Sequence, residues 1–181
     1  KKIYTVLQLR LIPSVIALKN KIDREFDGKK YNVDLRYITP RGKWYHYSWK
    51  GDLAKSGGIA TNIGIHLFDM LLWIFGDVED FKVLENKKAK MQGTLSLEKA
   101  NVNWFLSIDE DDLPKEAKDT EKTSFRSLTI DNQEVEFSNG FTDLHTKSYQ
   151  EILAGRGYGI KDVRPVIELV SKIRNSIPLE D

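Results

Sequence analysis

The chain has 181 residues, enough for one domain with a real core, and its charges nearly cancel at a formal +1. No single-sign field results, so nucleic acid is not an expected partner. Cysteine is absent, which excludes disulfides and thiolate metal sites and permits, without requiring, a reducing compartment. No apolar run approaches the ~20 residues of a membrane span. The longest, Met70 to Phe75, is cut short by Gly76-Asp77, and no membrane is expected.

Ile3 to Leu11 is rich in β-formers and alternates imperfectly, which predicts a strand. Lys1-Lys2 ahead of it loosely resembles a signal peptide, but Gln8, Arg10 and Lys19 break the apolar segment and no small-residue cleavage site follows. The chain opens on this pattern without Met, leader or cap, which predicts a piece of something longer or a processed chain. Pro13 suits the first turn of a helix. Val15, Ile16, Leu18, Ile22 and Phe26 follow at helical spacing, up to a stop at Asp27-Gly28.

Tyr31 to Ile38 alternates clearly, with Tyr31, Val33, Leu35 and Tyr37 on one face and Asn32, Asp34 and Arg36 on the other. That predicts a strand with one wetter face. Thr39-Pro40-Arg41-Gly42 breaks it. Lys43 to Asp52 is the densest aromatic stretch, and a glycine-led helix from Gly58 to about Phe75 follows it. From Val78 the period becomes two. Phe81 to Glu85, Met91 to Leu97, Val102 to Ile108, Phe125 to Ile130 and Val135 to Phe137 read as five strands, with Asp131-Asn132 as a tight hairpin. Asp109 to Lys122 reads as a charged, solvated loop. Two helices close the chain. Leu144 to Leu153 ends at Gly155, and Asp162 is placed to N-cap a helix with Pro165 in its first turn, running to Asn175. There is no internal repeat or low-complexity linker. This order predicts an α+β fold, an open and mostly antiparallel sheet with helices packed on one face.

The chemistry concentrates in Ser56 to Asp69. At ~3.6 residues per turn, Asn62, His66 and Asp69 share one helix face. Ile63, Leu67, Met70, Leu71 and Ile74 share another, which suits a core. Gly57 and Gly58 allow a ligand or another segment to approach the backbone closely. Gly64, costing ~1 kcal/mol against Ala in mid-helix, predicts tight packing there. His66 can be a general acid/base, a metal ligand or a satisfied structural histidine. Asn62 and Asp69 can orient it, bind substrate hydroxyls, or only hydrogen-bond locally. A metal site needs more ligands, and no second histidine stands at suitable spacing; none is predicted. Trp44, Tyr45, Tyr47 and Trp49 can line a sugar pocket, form a core strand or make a subunit interface. Arg41, Lys43 and Lys50 beside them suit phosphate or carboxylate, or a solvated edge. Gly155 to Gly159 lacks the strand and the full pattern of a dinucleotide loop and reads as a helix end and turn.

Trp49-Lys50-Gly51-Asp52, Ser56-Gly57-Gly58, Asn62 to Asp69 and Trp73-Ile74-Phe75-Gly76 together resemble the C-terminal domain of the Gfo/Idh/MocA oxidoreductases. The ending from Asp162 to Ser176 is similar to theirs, so the resemblance covers nearly the whole chain. Asn62 stands where many members have Asp. Tyr4 to Arg10, Tyr37 to Tyr45 and Leu144 to Gly159 look closest to the dehydrogenases of UDP-N-acetyl-glucosaminuronate, which serve lipopolysaccharide O-antigen synthesis. The resemblance implies a dihydrodipicolinate-reductase-like sheet domain spanning 1–181. Residues 1–12 would be the last strand of a Rossmann domain, or the link from it. That domain's Gly-x-Gly-x-x-Gly and Glu-Lys-Pro motifs are not in this sequence.

The resemblance also implies NAD as cofactor of the intact cytoplasmic enzyme, not bound by this part alone. A UDP-sugar would be the substrate and a homodimer or homotetramer the assembly. It gives His66 the role of general base at the sugar 3-hydroxyl, alone or shared with the catalytic lysine of the Rossmann domain, and Asn62 a hydrogen bond to the sugar or the nicotinamide side. Arg41, Tyr45 and Lys50 would face the uronate or diphosphate, with His145 and Tyr149, one turn apart, as a further substrate-binding pair. A non-catalytic ligand-binding or oligomerisation module is the rival reading. A family dehydrogenase acting on a free polyol or another sugar is the third.

Overall fold

The computed structural model describes residues 2–119, 123–135 and 143–178. Pro13 opens α1 (Pro13–Glu25), whose Val15 and Ile22 are buried. The alternating segment forms β1 (Tyr31–Ile38) with the predicted bounds. It lies inside a six-stranded sheet of order β2-β3-β4-β1-β5-β6. The others are β2 (Val78–Asn86), β3 (Lys90–Leu97), β4 (Ala100–Ser107), β5 (Phe125–Ile130) and β6 (Gln133–Glu134). β1 runs parallel to β4, and every other described pairing is antiparallel. The open, mostly antiparallel α+β sheet is therefore as expected. The late strands do not form an uninterrupted meander, however, because β1 enters between β4 and β5. The last strand, predicted at Val135 to Phe137, falls instead just before those residues, at Gln133–Glu134, and residues 136–137 lie outside the described residues.

Alternation fixes which side faces the helices. Val33 and Leu35, Leu95 and Leu97, Val102 and Trp104 are all buried in one large cluster with Phe68, Met70, Ile74 and Val166. The covering helices are α1, the central helical stretch and α7 (Ile160–Asn175). The central stretch comprises α3 (Leu53–Ser56), a π-helical segment Ala60–Gly64 and α4 (Ile65–Phe75). Gly57, at φ +76, ends α3 in the left-handed region that glycine enters without strain. Gly64 packs as its position demands. A Cβ there would lie 2.8 Å from the Phe68 ring and 2.9 Å from Leu106. Helical residues Leu53–Phe75 are long and apolar enough, by length and composition, to cross a membrane, although no single apolar run is. Two-thirds of the most apolar window is buried inside the protein, so that surface is taken up by the core.

Several local expectations are corrected. Ile3 to Leu11 is not a strand: Tyr4 makes one isolated bridge to Gly159, and Gln8–Leu11 forms a 3₁₀ turn that aims Arg10 inward. The aromatic stretch is not a core strand. It closes its bonds locally as α2 (Lys43–Tyr47) and a 3₁₀ turn, with Ser48 N–H donating to the Trp44 carbonyl at 3.0 Å. The charged loop holds a short helix, α5 (Lys115–Asp119). Ala117, Leu113 and Ile38 form a second small cluster. Ile38 has the opposite parity to Val33 and Leu35, so one helix lies on the other sheet face. The next helix, α6 (Leu144–Leu153), has the predicted bounds. Asp162 is not the N-cap of α7. Gly159 is, and the Asp162 carboxylate accepts its N–H at 2.7 Å from the third helical position.

Candidate functional site

The π-helical segment widens the helix just before His66, a distortion often found at functional sites. Asn62 and His66 then line one cavity of about 250 Å³ with Gln8, Tyr37, Arg41 and Arg126. Each wall comes from a different element: the 3₁₀ turn after the N-terminal segment, the end of β1 and its loop, the helix, and β5. Two buried polar atoms of that wall, Gln8 Oε1 and His66 Nδ1, have no hydrogen-bond partner. Unpartnered buried polar atoms are costly, and two at one cavity mark a place where a ligand can supply the partners. Burial pushes the His66 pKa down, and the nearby charge of His145 lowers it further. His66 is thus held as the neutral imidazole at pH 7, the form that accepts a proton.

Of the predicted site residues, the fold brings His66, Asn62 and Arg41 together. Tyr45 is buried beside them, with the Arg41 guanidinium 5.9 Å from its ring centroid. Burial raises the Tyr45 phenol, against the pull of Arg41 and a hydrogen bond with Asn62. Asn62 is also tied locally, its Nδ2 donating to the Gly58 carbonyl at 3.2 Å. His145 is near enough to act on His66 electrostatically. Tyr149 is exposed and lines no described cavity with it. Lys50 lies apart and lines a different cavity. Asp69, read as a possible partner of His66, is instead fully buried in a bidentate pair with Arg10 at 2.8 and 2.5 Å.

Gln8, Tyr37 and Arg126 are the wall residues that sequence reasoning missed. Arg126 stacks on Tyr37 at 5.0 Å and donates to its hydroxyl at 3.3 Å. The register had a signal for this pair, since Tyr37 and Arg126 are direct partners across β1 and β5. Among the described residues no carboxylate lines this cavity, and the Arg41 guanidinium there suits an anionic ligand. Among the described residues no cluster of His, Asp and Glu could hold a metal ion.

Residues 27–111 match the family described as oxidoreductase family, C-terminal alpha/beta domain. The WlbA (WbpB) dehydrogenase from Thermus thermophilus, in complex with NAD and alpha-ketoglutarate, is 46% identical over 99% of this chain and 58% of that chain, with a TM-score of 0.93. The T. thermophilus dehydrogenase in complex with NAD and UDP-GlcNAcA is 44% identical over 100% of this chain and 58% of that one, again at 0.93. The Bordetella pertussis WlbA dehydrogenase, in complex with NADH and UDP-GlcNAcA, is 17% identical at a TM-score of 0.72, covering 99% of this chain and 64% of that chain. That is a likeness of fold alone. This chain spans 58% of the length of its Thermus relatives.

Proposed function

We propose that this chain, which belongs to the Gfo/Idh/MocA oxidoreductase family as its C-terminal α/β domain, forms the sugar site of an NAD-dependent dehydrogenase. The substrate would be a UDP-N-acetyl-hexosaminuronate, oxidised at the sugar 3-hydroxyl for lipopolysaccharide O-antigen synthesis in the cytoplasm. The carrying observation is the pair of unpartnered buried atoms, Gln8 Oε1 and His66 Nδ1, on a cavity flanked by Arg41 and Arg126. Neither atom is open to solvent, so a hydroxyl can donate to it once the wall shifts to admit one, and a uronate carboxylate suits Arg41. The Thermus relative in complex with NAD and UDP-GlcNAcA supports that substrate class.

In this reading His66 accepts the proton of the hydroxyl being oxidised. Asn62 and Gln8 hold neighbouring sugar groups by hydrogen bonds. Arg41, with the Tyr45 ring beneath it, turns the carboxylate one way, which fixes the carbon presented. The cofactor, when bound, takes the hydride. The present sequence carries no Gly-x-Gly-x-x-Gly turn between strand and helix to cradle its diphosphate. The isolated chain is therefore expected not to bind NAD with useful affinity. Calorimetric titration at concentrations that reveal micromolar binding checks this, and clear saturable binding would refute it. The reading as a whole is tested by assaying the full-length enzyme for NAD reduction with UDP-GlcNAcA, against free glucuronate and inositol.

The sheet face turned away from the main core supports the reading of this chain as part of a homo-oligomer. Lys82, Thr94, Asn103 and Asp34 stand in one row across four strands, Asn103 donating to Asp34 at 3.1 Å. Phe105 on the same face is partly covered, packing against the Ile38–Leu113–Ala117 cluster with the Arg36 guanidinium 5.5 Å from its ring centroid. Such a broad, mixed face suits an isologous sheet-on-sheet pair, although a solvated antiparallel face is also common. A dimer or tetramer is expected in sedimentation equilibrium, and a strictly monomeric mass at high micromolar concentration would sink the idea.

A further inference from the structure

Among the described residues, the other charged or titratable groups around His66 are Tyr37, Arg41 and Arg126 on the cavity wall, Tyr45 beside it, and His145. None is a carboxylate. Arg126 is engaged with Tyr37. Arg41 is exposed and, among the described residues, forms no ion pair. Its charge is therefore open to whatever enters the cavity, and any carboxylate built into the wall would compete for it.

Asn62 stands four residues before His66, inside the π-helical segment, and lines the same cavity. The orientation of its amide is fixed. Nδ2 donates to the Gly58 carbonyl at 3.2 Å, and that oxygen can only accept. The side chain also hydrogen-bonds the buried Tyr45 phenol, whose ring carries Arg41 5.9 Å from its centroid. A carboxylate of the same shape would meet the Gly58 carbonyl oxygen to oxygen, with no proton between them. It would also bring a negative charge close to both Arg41 and His66. A compact cavity of about 250 Å³ is comparable in width to the ~8 Å screening length at physiological salt, so both groups would feel that charge. A local bond to Gly58 accounts for a donor at this position. It does not account for the donor standing on the one wall shared with His66 and an unpaired arginine.

We propose that Asn62 determines the specificity of this site for a sugar acid: its uncharged amide leaves Arg41 to the carboxylate of the ligand. A carboxylate at this position would take Arg41 for itself and favour the sugar without an acid group. The inference rests on the uronate reading above. The test compares dissociation constants of the full-length protein for UDP-GlcNAcA and for its counterpart without the carboxylate, UDP-N-acetylglucosamine, by calorimetry. The wild type is expected to prefer the uronate. Asn62→Asp should cut that preference ~10-fold or more, the scale of one charge-assisted hydrogen bond. Asn62→Ala loses the bond to Gly58 but adds no charge, so it should weaken both ligands alike and keep the ratio. A second readout is the acid limb of kcat/KM with UDP-GlcNAcA. A negative charge beside His66 favours its protonated form, so the limb should move to higher pH in Asn62→Asp and stay in place in Asn62→Ala. A preference that survives Asn62→Asp, or that falls equally in both variants, overturns this inference alone and leaves the uronate reading standing. Equal affinity of the wild type for the two ligands sinks the uronate reading and this inference with it. Unfolding temperatures exclude misfolding. If Asn62→Asp is unstable, Asn62→Glu, whose longer side chain can turn its charge away from the Gly58 carbonyl, takes its place with the same expected ratio.

Discussion

With His66 as the proposed base, His66→Asn in the full-length protein is expected to lower turnover by ~10²–10⁴-fold, the usual contribution of a positioned acid/base. Substrate affinity should change far less. Asparagine keeps polarity near that of the imidazole but cannot take a proton at neutral pH. The wild-type ring is held neutral by burial first and by the charge of His145 second. The sign follows directly. A lowered pKa keeps the base form populated to a more acid pH than an ordinary histidine allows. The acid limb of kcat/KM should therefore fall below pH ~6.5, the unperturbed histidine value. His145→Asn removes a like charge, so it should move that limb upward while leaving the base in place. Steady-state kinetics with UDP-GlcNAcA across pH decide both points. Unchanged turnover in His66→Asn would leave His66 structural, and the two unpartnered atoms would then need another explanation.

What was legible in the sequence was whatever local period records. β1 and α6 have the expected bounds because their burial alternates with the period of the element itself. Gly64 was readable because a glycine in mid-helix has few other reasons to exist. Most of what was missed depends on a partner distant in sequence. Ile3 to Leu11 has strand composition, yet Arg10 is drawn inward by Asp69, 59 residues later, and the segment turns instead. For the aromatic stretch a core strand was one of three open readings, because aromatics favour sheets, and its short local helices are the exception to that propensity. Trp44, Tyr47 and Trp49 remain well exposed on short helices. The candidate site divided for the same reason. Lys50 and Arg41 are near in sequence but belong to different cavities, with buried Tyr45 lining the first and its ring centroid 5.9 Å from the Arg41 guanidinium of the second. Asn62 and His66 were legible because one helix carries both. Gln8, Tyr37 and Arg126 were not, because the 3₁₀ turn and the β1–β5 register place them there.

Breaking the Arg10–Asp69 pair is expected to cost about 3–5 kcal/mol of stability, the scale for leaving one buried charge without its partner. Asp69 is fully buried and Arg10 nearly so. The guanidinium also donates to the Asp162 carbonyl at 3.1 Å and lies 4.7 Å from the Tyr158 ring centroid. One side chain thus joins the N-terminal segment, α4, the turn before α7 and the first turn of α7. Burial pushes the Asp69 carboxyl up, against the hydrogen bonds and charge of Arg10. Arg10→Met should therefore leave a carboxyl that protonates rather than stay charged, whereas Asp69→Asn leaves a guanidinium that cannot lose its charge. Asp69→Asn should be at least as damaging for that reason. The double replacement Arg10→Met with Asp69→Leu removes both charges and should recover a large part of the loss, since a buried pair contributes little net against apolar residues of similar size. Urea unfolding of the four proteins closes the double-mutant cycle. Losses that simply add, with no recovery in the double variant, would mean that packing and not the paired charge holds these segments together.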